Sequence, residues 1–238
     1  MSSDQVQLHE IQEVVALKKF IAHFRVDCIF DVGANVGQYG RLLRDKVGYT
    51  GMILSFEPFP EAFAELSKNA SSDPAWAVFD FALSEKSGPT RFNVVSSSQM
   101  NSIEEPTTEE TDAVTAYNTK FGEIQIQAVR LDEIFTPFRE QIGFSRPLLK
   151  LDTQGHDLKV CAGMTDLTAF AGIQTEIAFK RAYKDTPDFR QSIDYFEERG
   201  FEMCAIFPNN QGHFPHLVEQ DLLLFNPAFL PAVAEQIS

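Results

Sequence analysis

The feature that most constrains the fold is the alternation of short apolar runs with stretches of helical spacing. Residues 26–32, 52–56 and 76–83 are strand-like apolar runs, and helical stretches at about 36–46 and 60–70 separate them. Strands that alternate with helices in this way are typical of a parallel sheet. Because helices cover both faces of such a sheet, its strands are almost continuously apolar. The pattern predicts a doubly wound α/β fold.

The alternation continues to the end of the chain after one interruption. Further strands are predicted at 147–151, 172–179, 201–207 and 219–225, with helical stretches at 157–170 and 187–199. This makes about seven strands in the sheet. Apolar residues at helical spacing predict an amphipathic helix at 8–24. We therefore expect an N-terminal helix within residues 1–25 and one domain over residues 26–238.

The interruption, residues 84–130, is predicted to be an insertion. Residues 123–129 alternate between apolar and polar side chains, as in a half-exposed strand, and 90–95 form a second candidate strand. Residues 96–120 are polar, and long structureless loops in compact domains are typically lids or disordered segments. We expect a β-hairpin with a mobile loop that closes over the ligand.

Charge narrows the class of partner. The chain has 20 Lys and Arg against 34 Asp and Glu, a net charge of −14. A field of this sign repels phosphate backbones and anionic lipid headgroups, so neither nucleic acid nor a membrane is the expected partner. A small neutral or cationic molecule fits better. No signal peptide or membrane span is predicted, and three cysteines without metal-ligand spacing suit a reducing compartment, so we expect a cytoplasmic protein.

Two strand ends carry the sharpest local signals. Asp31 ends the first strand and is followed by Gly33 and Gly37, whose backbones can turn tightly and let a ligand approach. The dinucleotide fingerprint G-x-G-x-x-G is absent, and Asp31 suits a ligand with an ammonium group better than a pyrophosphate. Glu57 ends the second strand, 26 residues later, where an acid can accept both hydroxyls of a ribose.

Three further candidates follow from the later strands. Asp152 ends the strand 147–151 and precedes a second glycine turn, so it should face the ligand edge. Glu176 interrupts an apolar strand, and a charge there is costly unless it is paired or belongs to a site. His156 follows the Asp152 turn and can serve as a general base near neutral pH.

Ordered motifs in the chain resemble the FkbM family of S-adenosylmethionine-dependent methyltransferases. They are residues 31–37 (DVGANVG), 56–58 (FEP), 80–83 (DFAL) and 149–155 (LKLDTQG), with 98–103 (SQMNSI) similar to a Ser/Asn-rich stretch of the family. The likeness spans roughly residues 27–225. It implies a class I methyltransferase (Rossmann-like) fold, a seven-stranded sheet with an antiparallel last strand. It also implies methyl transfer to a hydroxyl, commonly on sugars, polyketides or other secondary metabolites.

The resemblance also implies roles for single residues. By position in the motifs, the amino-acid end of S-adenosylmethionine would be held by the turn that contains Asp31, Gly33, Asn35 and Gly37. Glu57 would hold the ribose, Asp152 would stand near the sulfonium, and the adenine would be flanked by Pro58, Phe59, Asp80 and Phe81. One position departs from the family: many relatives have a glutamate where this chain has Gln154.

Several alternatives stay open from the sequence. Asp152 and Glu176 could hold Mg²⁺, which would lower the pKa of the acceptor hydroxyl. A carboxylate or His156 could instead take the proton directly, and we favour this second arrangement because no third protein ligand can be named. The rival functions are methyl transfer to nitrogen, a nicotinamide-dependent oxidoreductase and a nucleoside-binding module. The sequence gives neither the oligomeric state nor the acceptor.

Overall fold

The computed structural model of the chain describes residues 8–107, 119–208 and 216–231. Within them, seven strands form the main sheet, in the order β3-β2-β1-β7-β8-β10-β9. β10 runs antiparallel to both of its neighbours, whereas β1, β2, β3, β7 and β8 pair in parallel. The bounds of these strands are β1 Cys28–Val32, β2 Met52–Phe56, β3 Trp76–Phe79, β7 Pro147–Leu151, β8 Gly172–Ala178, β9 Glu202–Phe207 and β10 Glu219–Phe225. The predicted seven-stranded sheet with an antiparallel last strand is confirmed.

Helices cover the two faces of this sheet, three on each. They are α1 Leu8–Phe24, α2 Gln38–Arg41 with a π-helical continuation Leu42–Val47, α3 Pro60–Ala70, α4 Leu131–Ile142, α5 Asp157–Ala162 and α6 Phe189–Glu197. One apolar cluster joins alternate strand residues to α4, α5 and α6, and a second joins the opposite strand faces to α1, α2 and α3. None of the helices in the described residues combines the length and apolar character needed to span a membrane.

Two details differ from the expectations. The predicted strand 76–83 is broken at Asp80 and Phe81, because Phe81 turns aside to pack against Phe56 and Phe79. Its second part, β4 Ala82–Leu83, therefore belongs to another sheet. Helix α4 was not predicted, since Pro137 lies inside it and proline ordinarily breaks a helix interior.

The insertion forms a second, three-stranded sheet rather than a lone hairpin. β5 Gly88–Val95 and β6 Lys120–Val129 pair in the predicted antiparallel manner, and β4 adds to β6 in parallel. The segment that follows β5 is tied to the main domain: the Ser102 hydroxyl donates to the carbonyl oxygens of Thr153 and Gln154. Residues 98–107 thus form a wall beside the end of β7. Residues 108–118 lie outside the described residues, so the predicted mobility of the loop stays a prediction.

Gly33 is the point at which two ligand-edge turns meet. It follows β1 with a φ of +79°, and a Cβ atom there would lie 1.9 Å from the carbonyl oxygen of Asp152. Any side chain at this position would therefore force the turn after β1 away from the turn after β7. Only glycine permits both the left-handed backbone and the close approach.

We expect Gly33→Ala to destabilise the fold more than Gly143→Ala does. Gly143 has a comparable φ of +82°, but a Cβ atom there would meet nothing within 4 Å. Gly143→Ala should cost about 1–2 kcal/mol of backbone strain, and Gly33→Ala about 1–3 kcal/mol more from overpacking. Urea denaturation of both variants measures the difference, and equal losses would show that the close approach carries no cost.

Candidate active site

A row of polar side chains crosses one face of the main sheet. Asp31 of β1 lies opposite Lys150 of β7, and Lys150 lies opposite Gln174 of β8. Residues two apart in a strand point to the same face, so Asp152 and Glu176 continue this polar surface toward the carboxyl edge. The same face is apolar further back, where Ile29 and Leu148 pack against α1 and α2. The register alone therefore brings these polar groups together.

Lys150 is the buried cation at the centre of this row. Its Nζ lies 3.4 Å from Asp31 Oδ1 and 3.3 Å from Asp152 Oδ2, and 5.1 Å from the centroid of the Tyr39 ring. Burial alone would favour the neutral amine, but Asp152 and Asp31 outweigh it and hold the pKa of Lys150 above its ordinary value. Lys150 is therefore charged and joins the end of β1 to the end of β7.

Hydrogen bonds extend the row to both sides. The Trp76 indole donates to Ser55 Oγ (2.9 Å), and that hydroxyl donates to Asp31 Oδ2 (2.9 Å). On the other side, the Tyr39 hydroxyl donates to Gln174 Oε1 (2.7 Å), and Gln174 Nε2 donates to a Glu13 carboxylate oxygen of α1 (2.9 Å). The polar row thus reaches from β3 to β8 and onto the N-terminal helix.

Carboxylates gather where β7, β8 and β10 meet. Glu176 lies directly opposite Asp221 of β10, and Glu219 is two residues from Asp221, on the same face. Burial is the first cause that raises the pKa of Glu176, and the neighbouring Glu219 adds to it. Burial, together with Glu13 and Asp152, likewise raises the pKa of Asp221. Negative charge on these two carboxyls is therefore less stable than on exposed ones.

A cavity of about 450 Å³ opens along this edge, a size typical of small-molecule sites. Of the residues predicted from the sequence, its wall includes Gly33, Asn35, Glu57, Pro58, Asp152, His156 and Glu176. These come from the ends of β1, β2, β7 and β8. The structure therefore places these residues together at the carboxyl edge of the sheet, which the sequence predicted as the ligand edge.

Five other predicted residues lie outside the cavity wall. Asp31 is fully buried beneath it, bound to Ser55 and Lys150, and Gly37 packs toward Leu66 and Trp76. Asp80 is exposed, while Phe81 and Phe59 belong to apolar clusters. The expected contacts of Asp80, Phe81 and Phe59 with an adenine therefore stay predictions.

Glu57 holds two ligand-edge loops together. One carboxylate oxygen accepts from the backbone N–H of Asn35 (2.8 Å), and the other accepts from that of Phe59 (2.8 Å). Burial nevertheless raises the pKa of Glu57 to about 7, and these two bonds only partly offset it. Each oxygen keeps a further lone pair, so the carboxylate can still accept two hydroxyls from the cavity.

Both ring nitrogens of His156 are already engaged. Nδ1 bonds to Glu104 of the insertion, and Nε2 lies 3.0 Å from Ser84 Oγ. Burial by itself raises the pKa of Glu104, but bonds from His156 and Lys159 lower it below its ordinary value. Glu104 thus accepts from Lys159 and also bonds to the imidazole ring. His156 lacks the free nitrogen that the predicted general base requires, because it ties the insertion to the turn after β7.

The sequence analysis missed several residues of the site. Lys150 and Asp221 each stand inside an apolar strand, so the reasoning that singled out Glu176 applied to them as well. Glu13 gave no such signal, since a charge on one face of an amphipathic helix is ordinary. In the described parts of the chain, no group of three or more His, Cys, Asp and Glu side chains is arranged to hold a metal ion.

Comparison with known proteins gives one family. The family described as the methyltransferase FkbM domain matches residues 31–203, most of the chain. A curated relative, the hexuronic acid methyltransferase AglP of Haloferax volcanii, is 28% identical over 141 residues, which are 59% of this chain and 51% of the relative. The chain therefore spans about half the length of this relative.

The solved structure of methyltransferase FkbM from Methylobacillus flagellatus KT has a similar fold. It superposes with a TM-score of 0.52 at 13% identity, over 84% of this chain and 44% of that one. A sequence identity this low supports a conclusion about the fold only. Together with the strand order, it confirms the class I methyltransferase fold that the sequence motifs implied.

We expect Lys150→Met to destabilise the protein by about 3–5 kcal/mol, because it leaves Asp31 as an uncompensated buried charge. Lys68→Met is the control: it removes an exposed cation 3.4 Å from Glu65 and should cost less than about 1 kcal/mol. Urea denaturation measures both.

The pH dependence separates this explanation from lost packing. Without Lys150, the folded-state pKa of Asp31 rises further above its unfolded value, so the deficit should shrink as the pH falls and Asp31 takes up a proton. The double variant Asp31→Asn/Lys150→Met should recover part of the loss. A deficit that is independent of pH and of Asp31 would contradict the role of the ion pair.

Proposed function

We propose that this chain, which belongs to the FkbM methyltransferase family, transfers a methyl group from S-adenosylmethionine to a hydroxyl of a small molecule. The observation that carries the proposal is the position of Glu57. It is a buried acid at the end of β2, beside the turn after β1, with free lone pairs toward a cavity lined by further acids. Family membership favours this reaction over the nicotinamide-dependent alternative.

The residues present fit S-adenosylmethionine. Glu57 would accept the ribose hydroxyls, Pro58 would lie near the base, and the turn of Gly33 and Asn35 would approach the amino-acid end. The acids that line the cavity, among them Glu57 and Asp152, suit a cationic ligand. When bound, the cofactor supplies a methyl group on a positively charged sulfur.

The protein's own task is then to align the acceptor and remove its proton. We assign this to Asp152, whose oxygens accept from Lys150 Nζ and Gln154 Nε2 (2.8 Å) and which remains partly exposed to the cavity. These bonds fix the carboxylate's orientation. Glu176 lies on the neighbouring strand and is the second candidate. The hexuronic acid named for the curated relative supports a sugar-like acceptor.

We expect cofactor affinity to depend on pH through Glu57. Ribose hydroxyls bind best to the ionised carboxylate, and its pKa is about 7 in the free protein. The dissociation constant for S-adenosylmethionine should therefore fall as the pH rises from 6 to 8. Glu57→Gln should weaken binding by roughly ten- to a hundredfold, the value of a bond to a charged acceptor, and flatten this profile. Calorimetry at each pH tests it, and unchanged affinity in the variant would reject the assignment.

Chelation tests how the proton is removed. If Asp152 or Glu176 acts as a bare base, methyl transfer should survive excess EDTA. Asp152→Asn and Glu176→Gln should then lose turnover by more than tenfold while the dissociation constant of S-adenosylmethionine changes little. Activity that is lost in EDTA and restored only by added Mg²⁺ would show instead that the two acids act through a metal.

A further inference from the structure

Asn101 carries a buried donor without a partner in the wall of the cavity. The residue is 8% exposed and lies in the insertion, after β5. Its Oδ1 accepts from the backbone N–H of Val95 (2.9 Å), while its Nδ2 makes no hydrogen bond to any residue that the structure describes. The Val95 bond fixes which way the amide is turned, because Oδ1 must face that N–H. Nδ2 is therefore held at the opposite end of the amide group.

An unsatisfied buried donor destabilises a folded protein, so its retention calls for an explanation. The surroundings of Asn101 are firmly held. The Ser102 hydroxyl binds the turn after Asp152, and the Tyr183 hydroxyl donates to the Met100 carbonyl oxygen. This fixed position beside the catalytic edge points to a ligand oxygen as the missing partner.

The other side chains that line the cavity limit which chemical group can supply that oxygen. Asp152, Glu176 and Asp221 line the same cavity and offer acceptor oxygens. A carboxylate on the ligand could accept from Asn101 but would be repelled by these acids. An ammonium group could bind the acids but could not accept from Asn101. A neutral hydroxyl both donates and accepts hydrogen bonds, so it can accept from Asn101 and donate to the acids.

We propose that Asn101 is a specificity-determining residue that donates through Nδ2 to a hydroxyl oxygen of the acceptor, and that with the facing carboxylates it selects a neutral polyol. The inference rests on the proposed function, whose acceptor it specifies. It also separates this chain from its curated relative, named for a hexuronic acid, because that acceptor class carries a carboxylate.

The test is the binding of matched glycosides in the presence of S-adenosylhomocysteine, measured by calorimetry. Methyl glucoside should bind at least tenfold more tightly than methyl glucuronide. Asn101→Ala should weaken methyl glucoside by about five- to tenfold and leave S-adenosylhomocysteine within twofold. Gln125→Ala is the matched control: this exposed amide lies on β6 of the same insertion but outside the cavity wall, and the change should alter neither affinity by more than twofold.

Monodeoxy methyl glucosides then identify the contact. One of them, which lacks the contacted oxygen, should bind the wild type as weakly as Asn101→Ala binds the parent, with no further loss in the variant. Asn101→Ser, whose hydroxyl can still accept from Val95 N–H, provides a second variant if Asn101→Ala unfolds.

Every other outcome overturns either the inference on Asn101 or the proposed function. This inference would be overturned if Asn101→Ala bound methyl glucoside as tightly as the wild type does, or if the variant lost affinity only for S-adenosylhomocysteine. Tighter binding of methyl glucuronide than of methyl glucoside, or no binding of either glycoside, would overturn it as well. If binding follows the expected order but no methyl group is transferred to methyl glucoside, the inference on Asn101 stands and the proposed function fails. If methyl glucoside is methylated but Asn101→Ala binds it as tightly as the wild type does, the proposed function stands and the inference on Asn101 fails.

Discussion

The candidate site depends on the buried Lys150 ammonium. Two carboxylates, one fully buried under the sheet edge and one facing the cavity, lie within 3.4 Å of it. Without this cation, Asp31 would be an unpaired charge in an apolar interior, and Asp152 would stand beside further acids with only the bond from Gln154 to hold it. Because β1 and β7 are adjacent central strands, the same interaction fixes the two turns that meet at Gly33. The geometry of the cavity is therefore a consequence of one ion pair network in the centre of the sheet.

That network also explains why the ends of the chain matter to the site. Glu13 belongs to α1, and Glu219 and Asp221 belong to β10, so all three lie outside the residues 31–203 that match the family. The matched part supplies Glu57 and Asp152, the groups we assign to the cofactor and the proton. Asn101 and Glu176, which we assign to the acceptor, also lie in the matched part, and the outer elements add Glu13, Glu219 and Asp221 to the wall of the same cavity. The reaction and most of the contacts that select the acceptor therefore reside in the shared domain, whereas elements that relatives need not share add further acids.

The sequence predicted the part of the structure that strand ends determine. The strand order of a doubly wound sheet places Glu57 and Asp152 at one edge, and short apolar runs located those ends. Prediction from the sequence failed where tertiary contacts override the local pattern. Pro137 concealed α4, the packing of Phe81 broke a strand that looked continuous, and Glu104 engaged the ring of His156. The unpaired donor of Asn101 could not be predicted either, because it depends on how Val95 N–H turns one amide.

The acids of the cavity are costly in the free protein, and this cost is informative. Glu176 and Asp221 stand directly opposite each other, an arrangement of like charges that destabilises a sheet, and burial raises both of their pKa values. Burial and this proximity both disfavour the ionised forms, so the edge suits a ligand that compensates negative charge. A sulfonium beside Asp152 and hydroxyls that donate to Glu176 and Asp221 would each compensate the same negative charge. The donor of Asn101, which has no partner among the described residues, and the crowded acids of the same cavity are thus complementary, and one neutral hydroxylated ligand would stabilise both.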